Sequence, residues 1–173
     1  MRRVATVLVL LLTTSVSATA MPAAPPAPLK RYMVEIRGDI RVYRGLLRRL
    51  DALLSERPRV NVDPLVEKLN RLADGFEDLE ARWQTIAAPR RLGVRHRGMG
   101  RVFVLFAEAY RIHAAALFTR SPDEILSSAP RVHARLRSAA YLQKRWAAAL
   151  QGALIRAGTK APAWLHGMAT HGP

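Results

Sequence analysis

No cysteine occurs in the 173 residues. That removes disulfides, thiol nucleophiles, zinc ribbons and covalently attached haem, and it leaves folding to the apolar core. Acids are scarce too: 13 Asp and Glu face 28 Lys and Arg, for a formal net charge of +15. Lysine is itself rare, with 4 residues against 24 arginines. Such an excess attracts anions, although an arginine-rich composition by itself also raises the charge. Aromatic residues make up 6% of the chain, too few to interleave a basic patch with base-stacking platforms, so sequence-specific nucleic-acid recognition is not expected. No apolar run reaches the roughly 20 residues of a spanning helix, so no transmembrane helix is expected in the mature chain.

Arg2 and Arg3 precede an apolar stretch from Val4 to Leu12, and Ala18-Thr19-Ala20 offers small residues where a signal peptidase reads. This is the layout of a secretory signal peptide over residues 1–20, cleaved after Ala20, with a secreted or periplasmic product. The alternative is an uncleaved N-terminal signal anchor. Cleavage would leave 153 residues with a charge of +13, enough for one domain to bury its own core. Residues 21–28, MPAAPPAP, read as a stiff Pro/Ala-rich leader.

From Leu29 the apolar positions step by 4 and 3: Met33, Ile36, Ile40, Tyr43, Leu47, Leu50, Leu54. The pattern returns at Leu65, Leu69, Leu72, Phe76, Leu79, Trp83 and Ile86. It returns again at Leu92, His96, Met99, Phe103, Phe106, Tyr110, His113 and Leu117. A broader, alanine-rich face follows through Ile125, Ala129, Val132, Leu136, Ala139, Gln143, Trp146 and Leu150. These are helical seams, and no segment sustains the period of two that a strand needs. The expectation is an all-α fold: an antiparallel up-down-up-down four-helix bundle over 29–158, with helices at about 29–57, 63–88, 90–119 and 122–158. Short connections force neighbouring helices to be antiparallel. Residues 159–173 read as a flexible tail, loose beyond Leu165, with Trp164 and Leu165 placed to fold back onto the bundle end.

Helix-end chemistry agrees with these breaks. Asp63-Pro64 offers a cap and a first-turn proline, and Ser121-Pro122-Asp123-Glu124 a capping box. Pro89 closes one helix and opens the next. Pro130 lies inside the last segment and predicts either a kink or a split, with Ser128 capping a second helix.

Charge is uneven. The second helix is acidic, with Asp63, Glu67, Asp74, Glu77, Asp78 and Glu80, and its neighbours are basic. Arg90, Arg91, Arg95, Arg97 and Arg101 crowd the start of the third helix, where the macrodipole favours acids. Antiparallel packing would bring Lys144 and Arg145 beside them, with Glu77, Asp78 and Glu80 neutralising part of the cluster. These seven cations form the candidate anion-binding site.

Other chemistry is thin. The Gly-Met-Gly at 98–100 lacks the third glycine of a dinucleotide fingerprint and the Lys-Ser/Thr of a P-loop, so the glycines are expected to admit a close neighbour or to mark a frayed first turn. A ferritin-like di-iron set is missing, because Glu108 and His113 are five residues apart and no other Glu closely precedes a His. His96 and His113 are about 25 Å apart along one helix and cannot share a ligand. His113 and His133 form a weak candidate metal or pH-sensing pair. No cofactor is expected, and no catalytic set can be argued. The stretch LLRRLDALLSER, Leu46 to Arg57, resembles the opening helix of all-helical chorismate mutases. The lysine and Arg-Glu pair that follow in that family are not recognisable in VNVDPLVEKLN, so no catalytic residue carries over.

The sequence therefore reads as a secreted, non-enzymatic, basic helical bundle that binds an anionic polymer, a lipid headgroup or an acidic protein. Two alternatives stand beside it. One is a bundle with a metal or haem site, or a small enzyme; the other is a helical oligomerisation or partner-binding module using the alanine-rich face.

Overall fold

The computed structural model describes residues 27–55 and 62–170, so the expected signal peptide, most of the leader and the last three residues lie outside it. Among the described residues the chain is all-helical: α1 Ala27–Ser55, α2 Asp63–Gln84, α3 Gly93–Phe118, α4 Pro122–Arg156 and α5 Ala163–Thr170. A single 3-10 turn, Arg90–Leu92, leads into α3.

α3 packs along both α2 and α4, and it is buried well beyond one seam. Besides Met99, Phe103, Phe106 and Tyr110, it buries Val102, Leu105, Ala107, Ala109, Ala114 and Ala116. A helix with neighbours on two sides needs an apolar arc wider than a coiled-coil stripe, and its alanines let those neighbours approach. In α2 the seam from Leu69 to Trp83 is buried, and Leu65 and Ile86 are half-buried at its ends. α1 is rotated slightly from its expected seam. Tyr32, Leu46 and Leu53 are buried there, and Met33, Leu47 and Leu50 are half-buried at its edge.

Aromatic rings fill the centre. Phe76 and Phe106 stack at 4.9 Å, and Tyr43 lies 5.5 Å from Phe103 and 6.2 Å from Phe76. The Tyr43 hydroxyl donates to Oε1 of the buried Gln143, which explains a polar residue on the α4 seam. Tyr110 lies 6.0 Å from Phe106, and its hydroxyl is buried with no hydrogen-bond partner.

Several helix ends depart from expectation. α2 is capped by Val62, with no side-chain cap. Asp63 is instead a helical residue whose two carboxylate oxygens accept from Arg120 at 2.9 and 3.0 Å. Arg120 carries a positive φ of 54° in the turn after α3, a conformation costly for a residue with a side chain; its hold on Asp63 ties that turn to the start of α2. At the start of α4 the Ser121 hydroxyl accepts from the Glu124 N–H at 3.4 Å. The Ser121 N–H donates to Thr119 Oγ1 at 3.3 Å, so Thr119 takes the role expected of Glu124. α2 ends at Gln84, short of Pro89, and Thr85 folds its hydroxyl back onto the Arg82 carbonyl at 2.8 Å.

α4 is one helix of 35 residues that runs through Pro130, so the split does not occur. Ser128 donates to the Ile125 carbonyl at 2.8 Å within the helix and caps nothing. Pro130 is exposed on the outer face, where solvent can satisfy the carbonyl left without an N–H partner one turn back. α4 ends in a Schellman motif: Gly158 takes a φ of 65°, and the Thr159 N–H reaches the Leu154 carbonyl at 2.9 Å. The expected loose tail is α5 instead. Leu165 and Met168 are buried, and Trp164 stacks 6.3 Å from Trp146; that apolar burial holds a short helix that propensity alone would not.

Candidate anion-binding site

The structure divides the seven candidate cations. Arg101 pairs with Glu108 at 3.2 Å. Arg145 donates to the Tyr141 hydroxyl at 2.9 Å and lies 5.3 Å from that ring's centroid. Arg90, Arg91, Arg95, Arg97 and Lys144 hold no ion pair among the described residues. The start of α3 does approach α4, since a Cβ on Gly98 would lie 3.9 Å from Leu142. Yet two of the three acids expected to neutralise the cluster, Glu77 and Glu80, are engaged elsewhere, and Asp78 is exposed on α2. Glu77 and Asp74 take Arg111 from the middle of α3, and Glu80 accepts from Gln84 in its own helix. The reason is register: Arg111 lies about four turns below the cluster, on the stripe of α3 that faces α2. Glu108 is likewise shared, with Arg135 of α4 at 3.0 Å.

A second set of cations went unread in the sequence. On α1, Lys30, Val34, Arg37, Arg41, Arg44 and Arg48 step by 4, 3, 4, 3 and 4, which places all six on one side of the helix beside the apolar seam. All six are exposed. The five cations have no carboxylate partner among the described residues. Two acids of α1 are engaged elsewhere, Glu35 with Arg31 at 2.8 Å and Asp39 with Arg82 of α2 at 3.2 Å; the third, Asp51, follows Arg48 by three residues at the end of the stripe. The signal that marks this stripe is its spacing, because basic residues at 4-3 steps share a helix side just as apolar ones do.

The histidines separate cleanly. His96 is buried in a chain of hydrogen bonds: Trp146 Nε1–H to the Tyr32 hydroxyl at 3.1 Å, then Tyr32 to His96 Nδ1 at 3.0 Å. His96 Nε2 meets the Trp83 carbonyl at 3.2 Å. Because that carbonyl can only accept, Nε2 carries the proton, Nδ1 accepts, and the ring is neutral. Trp83 returns its indole N–H to the His96 carbonyl at 3.0 Å and stacks on the imidazole at 4.8 Å. Burial lowers the His96 pKa below 6.5; the Trp83 carbonyl opposes this, and the Arg97 charge adds to it. Burial likewise pushes the Tyr32 hydroxyl up to about 12. His96 thus fastens α1, α2, α3 and α4 together, with both ring nitrogens taken up by protein groups.

His113 is half-buried, and desolvation lowers its pKa. His133 is exposed beside Pro130 and Arg137 in a groove that His113 does not line. No cluster of three metal-ligating side chains occurs among the described residues. A Cβ on Gly100 would lie 3.4 Å from Trp83 Cδ1 and one on Gly98 3.9 Å from Leu142 Cδ2, ordinary van der Waals contacts, so the packing does not demand glycine at either position.

No family model, curated protein or solved structure matches the chain. Among the described residues no helix is long and apolar enough to cross a membrane.

Proposed function

We propose that the protein is an exported up-down-up-down helical bundle, without enzymatic activity, that binds an anionic partner through its basic surface. α1 to α4 form the bundle in this reading and α5 closes one end. The observation that carries it is the α1 stripe: Arg37, Arg41, Arg44 and Arg48 run along one flank with no carboxylate partner among the described residues, while Asp74, Glu77 and Asp63 of α2 are engaged with Arg111 and Arg120. Exposed ion pairs add little stability. Four unpaired arginines in a row add none, and their mutual repulsion costs something, which fits a surface kept for an external anion. The exposed apolar residues Val34, Phe118, Leu126, Tyr141 and Ile155 are scattered over three helices, so they favour an oligomerisation face less.

The test is adsorption to phosphatidylglycerol vesicles at rising salt. Each arginine near an anionic surface contributes about 1 kcal/mol, so replacing Arg37, Arg41, Arg44 and Arg48 by glutamine should weaken binding by up to about a thousandfold. The same exchange at Arg90, Arg91, Arg95 and Arg97 measures the share carried by α3. Adsorption insensitive to salt, or unchanged in both variants, overturns the reading.

A further inference from the structure

The α1 stripe forms one wall of a groove whose other wall is the turn between α4 and α5. Its cavity volume is about 590 Å³, within the range of small-molecule sites. The groove is polarised along its length. At one end Leu29 and Met33 of α1 meet Leu154, Pro162 and Trp164. Leu29 and Leu154 form a buried floor there, and Met33 and Trp164 are half-exposed at its lip. Past Ile40 the apolar lining stops, and the walls are Arg41, Arg44 and Arg48. Lys30, Arg37 and Lys160 stand around the apolar end, where their stems can extend its greasy surface while their charges reach water. Among the described residues no acid lines the groove.

The apolar part runs from Leu29 to Ile40, about 16 Å of helix at 1.5 Å per residue, and the arginine part continues for about 10 Å. An acidic helix laid along this whole length would be a cylinder roughly 10 Å across and 27 Å long, or about 2,000 Å³. That exceeds the groove's full open volume of about 1,370 Å³. A hydrocarbon chain with one acidic head fits both the volume and the polarity.

We propose that this groove takes a single-chain anionic amphiphile, with its acyl chain between Met33 and Trp164 and its head among Arg41, Arg44 and Arg48. The proposal rests on the anion-binding reading and names the ligand class at the same α1 surface. Fatty carboxylates and lysophosphatidylglycerol share this chemistry, a chain ending in an anion.

Bromine quenches indole fluorescence on contact, so dibromostearate is a direct probe of the Trp164 end. With purified protein and probe below micelle formation, quenching should saturate, and Trp164→Phe should remove most of it. Arg41, Arg44 and Arg48 replaced together by glutamine should raise the apparent Kd at least tenfold. Met33→Glu should abolish saturation, with the helical circular dichroism spectrum reporting that the variant is folded. Displacement of the probe by lysophosphatidylglycerol, but not by stearate, would identify a phosphate head; the reverse would identify a carboxylate. Equal quenching by the uncharged methyl ester overturns the head assignment. Displacement only by an acidic amphipathic peptide overturns the amphiphile and gives the groove to a partner helix. Salt-sensitive vesicle binding without saturable quenching overturns this inference while leaving the broader reading standing. Loss of both overturns both.

Discussion

Three buried tyrosines allow the polar core to be tested by removing the same atom three times. Tyr32→Phe, Tyr43→Phe and Tyr110→Phe each delete one hydroxyl and leave the ring in place. At Tyr32 the deletion strands two buried partners, the Trp146 indole N–H at 3.1 Å and His96 Nδ1 at 3.0 Å. An unsatisfied buried donor or acceptor costs about 1–3 kcal/mol, so the loss should be about 2–4 kcal/mol. At Tyr43 the deletion strands one partner, Gln143 Oε1, and the expected loss is about 1–2 kcal/mol. At Tyr110 the hydroxyl has no partner to strand; its removal relieves a desolvated dipole, so stability should hold or rise by up to about 1 kcal/mol. Urea unfolding followed by circular dichroism reads the order. With a slope near 2 kcal/mol per molar urea, Tyr32→Phe and Tyr110→Phe should differ in midpoint by about 1.5 M. Equal midpoints for these two variants would refute the hydrogen bonds assigned to the core.

Two further perturbations test other parts of the fold. His96 and His113 both have pKa values lowered by burial, so the unfolded chain binds more protons than the folded one as pH falls through 6.5. Stability from these groups is present above that pH and is lost below it. Urea midpoints should therefore drop between pH 7.5 and 5, with a shallower drop in His96→Gln; an unchanged slope in that variant would remove His96 from the account. Gly38 and Gly45 lie inside α1 with open space, nothing within 4 Å, where a Cβ would stand, so alanine at either should add about 0.5–1 kcal/mol. Gly75→Ala should gain less, because its Cβ would lie 2.8 Å from Leu46 Cδ2; a thermal melt in which it matches Gly38→Ala counts against that contact.

Helical class and the core of α2 were readable because period and burial coincide there: Leu69, Leu72, Phe76, Leu79 and Trp83 are both regular and buried. α3 was only half readable. A 4-3 spacing marks the centre of a buried arc, and it cannot register that Ala107, Ala109 and Ala114 lie inside a helix flanked on two sides. The ends were harder still, since capping depends on competitors. Thr119 displaced Glu124 at Ser121, and Arg120 drew Asp63 away from a capping role. The fold-back of Trp164 and Leu165 was readable from their apolar character, but the helix of α5 was not, because its order comes from packing against α4 and not from its own short sequence. The arginines at the start of α3 were noticed because they are adjacent in the chain. The α1 arginines are spread over several turns and become neighbours only when the helix winds.

The indoles have a consequence for how the molecule can be watched. Trp83, Trp146 and Trp164 are the chain's three tryptophans, and they form one group, 5.6 and 6.3 Å apart in successive pairs. Every photon of indole emission therefore comes from one neighbourhood, where the α2 end, α4 and α5 meet. The region around Phe76 and Tyr110 and the Asp63–Arg120 clasp emit none. A fluorescence melt follows the loosening of the indole cluster alone, while a helicity melt averages over all five helices. The temperature gap between the two curves measures how tightly one end of the molecule is coupled to the other, without any label or substitution.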